Sequence, residues 1–231
     1  MNNLLTQTAS RRTLLGGGVA AAAAMVLPSR LGLPADRPMG AGLTPPPPMR
    51  VAATPADDRS IAGVPRALMQ RALAARDANS RRIASRDRLA IVDFDAGSAD
   101  KRLHLVDVAN AKVARLHVSH GSGSDPGHTG FVHRFSNREG SNASSEGAYV
   151  TTGYYVGKHG RSQRLVGLDA TNDNALMRSI VVHGAWYAEP DMIASLGKLG
   201  RSQGCFAVGD TCLQSLFDHL GEGALIYAAR A

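Results

Sequence analysis

Leu89-Ala90-Ile91-Val92-Asp93-Phe94, Leu103-His104-Leu105-Val106-Asp107-Val108 and Val113-Ala114-Arg115-Leu116-His117-Val118 are short runs, rich in β-branched residues and largely alternating. A period of two sends successive side chains to opposite faces of a pleated backbone, so each run reads as a β-strand. Asn110, between the last two, suits the turn of an antiparallel hairpin. Residues 148–155, 164–168, 179–183 and 224–229 have the same texture and extend the strand set. Helical spacing is confined to residues 65–78, 192–196 and 211–220. Proline opens the first of these, where a missing N–H is harmless, and Thr211 offers a capping hydroxyl to the last. The expected fold is mostly β with peripheral helices. A polar stretch from 119 to 147, loaded with Gly, Ser, Asn and His, is too long for an idle connection and is expected to rim a site.

Upstream of this domain the composition changes. Ser10-Arg11-Arg12-Thr13-Leu14-Leu15 sets a twin arginine before an apolar run that ends at Leu27. Gly16, Gly17 and Gly18 dilute that run, which falls short of the roughly 18 apolar residues that span a bilayer as a helix. Residues 1–27 therefore read as a twin-arginine signal segment, which implies passage through the Tat export machinery to the periplasm or cell envelope. Residues 28–59 hold eight of the eleven prolines and read as an extended linker. Residues 60–231 form the expected folded domain. The net charge of +7 is spread along the chain, with no basic reading helix or zinc motif. Nucleic acid is not an expected partner, while a modest positive field suits anionic wall polymers.

Two cysteines, Cys205 and Cys212, and eight histidines are the residues with reactive potential. In an oxidising compartment a structural Cys205–Cys212 disulfide is one reading. The segment Gly200-Arg201-Ser202-Gln203-Gly204-Cys205 supports another. Gly204 permits a tight backbone conformation just before the thiol, so that N–H groups converge as an oxyanion hole. A thiol needs a base near it to ionise at neutral pH, and His183, ending the apolar run Ser179-Ile180-Val181-Val182, is placed to be that base. The Gly184 carbonyl would fix its tautomer. Spacing alone leaves both readings open. No H-E-x-x-H pair occurs, so neither a metal nor a cofactor is expected.

His183-Gly184-Ala185 followed by Gly200-Arg201-Ser202-Gln203-Gly204-Cys205 resembles the signature of the L,D-transpeptidase catalytic domain family. Phe135-Ser136-Asn137, Ser144-Ser145-Glu146-Gly147, Tyr155-Val156-Gly157-Lys158-His159-Gly160, Gly167-Leu168 and Asn174-Ala175 resemble further stretches of one subgroup of that family. The resemblance covers approximately residues 89–229. It implies a β-sandwich or barrel and a cysteine acyltransferase acting on peptidoglycan stem peptides. By that resemblance Cys205 is the nucleophile, His183 the base and Gly184 its orienter. Ser202, Gln203, Gly204 and the Cys205 N–H would line the oxyanion region, with Arg201 and His159 binding substrate. Two departures stand out: Phe206 follows the nucleophile where proline or a polar residue is commoner, and residues 186–199 look like an insertion. The competing expectation is an inactive peptidoglycan-binding module with a structural Cys205–Cys212 disulfide.

Overall fold

The computed structural model describes residues 63–231, so the signal segment and most of the linker expected from sequence lie outside the described residues. Eight strands form one mixed sheet in the order β3-β2-β1-β8-β4-β5-β6-β7. They are β1 (Arg88–Asp93), β2 (Leu103–Asp107), β3 (Lys112–Leu116), β4 (Gly147–Gly157), β5 (Gly160–Gly167), β6 (Val181–Gly184), β7 (Phe206–Val208) and β8 (Leu225–Ala229). Three helices accompany them: α1 (Arg66–Ala78), α2 (Pro190–Leu196) and α3 (Asp210–Leu220). The β2–β3 hairpin closes as expected, with Asp107 accepting from both the backbone and the side-chain amide of Asn110.

Strand alternation sorts the apolar residues into two cores. Leu89 and Ile91 of β1, Ala148 and Val150 of β4, and Leu225 of β8 pack with Leu68, Met69 and Ala72 of α1. The residues between them, Ala90, Val92, Tyr149 and Ile226, enter a larger cluster with Leu165, Val182, Phe206 and Val208, and with Leu216 and Phe217 of α3. Burial on both faces explains why β1 reads as a nearly continuous apolar run.

The larger core draws on strands from across the sheet, because the sheet coils around it. Just beyond β3, Ser119 donates to the carbonyl of Ala207 on β7 at 2.8 Å, and Gly121 forms a parallel bridge with Ser202. The two ends of the sheet thus meet through residues 119–122. Of the two architectures anticipated, the single coiled sheet forms rather than two stacked ones.

Two local expectations need correction. β7 has only three residues and lies outside the strand set expected from the sequence. That helix begins at Asp210 with Gly209 as its cap, not at Thr211. The Thr211 N–H and hydroxyl instead both bind the Glu189 carboxylate at 3.0 Å, so α3 is capped from the neighbouring segment.

Candidate active site

The parallel pairing of β6 with β7 places the two reactive side chains together. Val182 aligns with Phe206 and His183 with Ala207, so Cys205 lies opposite Val181. Since Val182, Phe206 and Val208 point into the core, alternation turns His183, Ala207 and Cys205 to the outer face. Both His183 and Cys205 border one cleft of about 450 Å³. Phe206 stacks on Phe94 and meets Tyr149 edge-on inside the core, so it takes no part in that cleft.

His183 is buried, and its Nδ1 lies 2.8 Å from the Gly184 carbonyl. A carbonyl only accepts, so Nδ1 carries the proton and Nε2 presents a lone pair. Burial lowers the imidazole pKa below its ordinary value; the bond to Gly184 opposes this and the neighbouring His159 adds to it. His159 stacks on His183 with ring centroids 4.2 Å apart. The bare Cα of Gly184 has a separate use: a Cβ there would sit 2.2 Å from Asp210 Oδ1, so glycine lets the start of α3 pack close.

The Cys205 thiol is half-buried and donates to the carbonyl of Ser179 at 3.5 Å, not to His183. Ser179 has a φ of 55°, a left-handed conformation uncommon for a residue with a side chain. Burial pushes the thiol pKa up, while the Val181 N–H, Lys158 and Arg178 pull against it. Both groups are therefore held toward their neutral forms. Cys205 and Cys212 are both free, so the anticipated disulfide is not part of this fold.

The turn before Cys205 has the tight glycine conformation expected from the sequence. Gly204 has a φ of 109°, which excludes most side chains. The Ser202 hydroxyl donates to the Cys205 carbonyl at 2.7 Å and accepts the Gly204 N–H at 3.1 Å. Ser202 and Gly204 therefore shape the turn rather than offer donors to a substrate. The N–H groups of Gln203 and Cys205 are the donors not engaged in it. Arg201 borders the cleft, but its Nη1 donates to the backbone carbonyls of Asp125 and Pro126. Lys158, Tyr155, Tyr187, Glu139 and Arg178 also line the cleft, and none was singled out from the sequence by itself.

A buried polar network supports this turn from behind. Arg102 Nη2 donates to His120 Nδ1 at 2.8 Å, which leaves His120 Nε2 to donate to Asp125 at 3.3 Å. The His120 carbonyl then receives the Ser202 N–H at 2.9 Å. Burial drives the His120 pKa down to about 4. Burial would raise Asp125, yet N–H donors from Thr129 and Gly130 hold it down to about 2.

An unfolded histidine takes up a proton near 6.5, whereas folded His120 does so only near about 4. Between those values the unfolded state binds more protons, so stability falls as pH falls, by about 3 kcal/mol at most from this group. His104, His117, His183 and His219 are lowered too and act in the same direction. Denaturant unfolding measured from pH 7 to pH 4 should show this slope, and His120→Gln should reduce it by the share of one residue. An unchanged slope in that variant would exclude the network as its source.

The profile of the L,D-transpeptidase catalytic domain matches residues 61–229. The chain belongs to that family. Among curated proteins none matches it. Among solved structures, an L,D-transpeptidase from Mycobacterium smegmatis is 13% identical with a TM-score of 0.37, the match covering 62% of this chain and 58% of that one. An L,D-transpeptidase from Mycobacterium tuberculosis is 12% identical with a TM-score of 0.36, covering 62% and 58%. The catalytic domain of the Enterococcus faecium L,D-transpeptidase is 13% identical with a TM-score of 0.34, covering 63% and 99%. The transpeptidase-family chain thus spans little more than half the length of the first two. Among its described residues no group of three His, Cys, Asp or Glu side chains is placed to hold a metal ion.

Proposed function

We propose that this chain is an exported cysteine acyltransferase of the cell envelope that acts on peptidoglycan stem peptides. The observation that carries the reading is the placement of Cys205 and His183 on one face of adjacent parallel strands, bordering one cleft, with His183 Nε2 free to take a proton. The subgroup assignment rests on the sequence runs around His159 and Cys205, and the Tat route and periplasmic location on the twin arginine at Arg11 and Arg12.

In this mechanism the Cys205 thiol turns from the Ser179 carbonyl to His183, which accepts its proton. Sulfur attacks the carbonyl joining the third stem residue, a diamino acid, to the following D-alanine. The N–H groups of Gln203 and Cys205 face the oxygen that gains negative charge. The C–N bond breaks, D-alanine leaves with the proton held by His183, and a thioester to Cys205 remains. An amine of a neighbouring stem attacks the thioester to form a cross-link, returning a proton to sulfur; water in its place gives a trimmed peptide. His159 covers the base, and Lys158 and Arg201 set positive charge at the cleft rim for substrate carboxylates.

Incubation of the purified chain with disaccharide tetrapeptides, read by mass spectrometry, is expected to give cross-linked or trimmed products with loss of D-alanine. A carbapenem, a strained acyl donor that needs only the thiolate and the oxyanion donors, is expected to add its full mass to the protein at Cys205. Untouched muropeptides together with no adduct, on a protein whose Cys205 titrates as a free thiol, would exclude this function and leave the binding-module reading.

A further inference from the structure

Arg178 is carried by no motif, yet its surroundings set it apart from the other cations at the cleft. Its half-buried guanidinium lies between the long loop and the nucleophile turn. Nη1 donates to the Ser136 carbonyl at 2.8 Å and Ser145 Oγ at 3.3 Å, and Nη2 to Ser141 Oγ at 3.3 Å and the Ala143 carbonyl. All four acceptors are neutral. Nη2 also stands 3.1 Å from where a Cβ on Gly204 would be, so the cation rests against the turn that delivers the thiol.

Burial lowers the Arg178 pKa below its ordinary value, and Tyr149 and Cys205 act against that. Tyr149 is buried and its phenol is pushed far above neutral pH, so it stays uncharged. A partly buried cation without a carboxylate is costly, and the group left to supply its counter-charge is the Cys205 sulfur. A substrate carboxylate is a poor alternative partner, because four of the five guanidinium N–H groups already have protein acceptors and no paired edge remains.

We propose that Arg178 is a positioning residue that clamps residues 136–145 against the Gly204 turn and supplies the positive field in which Cys205 carries its negative charge. This rests on the reading of Cys205 as nucleophile. Other titratable groups line the same cleft: Lys158 and His159 from the β4–β5 turn, His183 on β6, Tyr187 after it, Glu139 from the long loop and Arg201 beside it. Lys158 is the other cation acting on the thiol and pulls on it at least as strongly, but it is exposed on its turn, where water and salt screen it more than they screen half-buried Arg178.

The test is the rate of Cys205 alkylation by iodoacetamide from pH 5 to 10, in the full chain carrying Cys212→Ala. Arg178→Gln should raise the midpoint by about one unit, a tenfold slower reaction at neutral pH. Arg178→Lys keeps the charge without the four bonds and should stay close to the parent, as should Ser141→Ala, which removes one of the four guanidinium bonds, a long bond from the Ala143 N–H, and no charge. A folded glutamine variant with an unmoved midpoint would overturn the proposal. If that variant does not fold, the lysine variant decides: a midpoint displaced by about one unit would show that bonding and not charge governs the thiol. Alkylation needs no peptide substrate, so a failure on muropeptides would strike the proposed function and leave this result readable.

Discussion

Cys205→Ala is expected to remove all acyl-enzyme formation while the protein melts within a few degrees of the parent. The nucleophile is lost, but the thiol is half-buried, makes only a long bond to the Ser179 carbonyl and a contact from the Val181 N–H, and is replaced by a small apolar group in the same space. Stability changes of about 1 kcal/mol or less correspond to a shift of about 2–4 °C in a domain of this size. Cys212→Ala should keep full activity, since Cys212 sits on α3 with Thr211 Oγ1 at 3.9 Å as its polar neighbour. Intact-mass detection of the carbapenem adduct and a melting curve on each variant check both statements. Loss of acylation in the Cys212 variant, with both proteins melting early, would restore a structural role for the pair.

His183→Ala should slow acylation by about 10² to 10⁴, the usual value of general-base help. The pH profiles should also separate. Because burial lowers the His183 pKa, the imidazole remains a free base below its ordinary pKa of 6.5, so the wild type should hold its rate into mildly acidic solution. Burial raises the Cys205 thiol, so the variant, lacking the base, should accelerate only above the ordinary thiol range near 8.5. Single-turnover acylation from pH 5 to 10 measures this. Superimposable profiles would mean that His183 does not serve the thiol.

Most of the strands were legible because they are short runs rich in β-branched residues, several of them buried on both faces, bounded by polar turns. β7 was not, because three residues between Gly204 and Gly209 are too few to show a period. Thr211 looked like a cap because its hydroxyl is suited to capping, but the partner of that hydroxyl is Glu189, which no local pattern announces. At the site, the motifs singled out Cys205, His183 and the Gly184 carbonyl; the first two border the cleft, and the third holds Nδ1 of His183. Ser202 also borders the cleft, with its hydroxyl proton directed to the Cys205 carbonyl. Arg178 was invisible because its effect on Cys205 acts across a fold that brings distant segments together, and an isolated arginine before a strand has no signature.

If the chain acts on peptides as proposed, the join between Ser119 and Ala207 bears on how one would be recognised. β7 is the terminal strand beside the nucleophile, and an open edge there would be a template on which an extended peptide adds as a ninth strand, read through its backbone. The Ala207 carbonyl on that edge is already occupied by the Ser119 N–H, and the Ser202 backbone by His120 and Ser122. Strand addition is therefore blocked at this edge. Selection among peptides then falls to side chains and loop donors around the cleft, which discriminate by charge and shape and can diverge without disturbing the sheet.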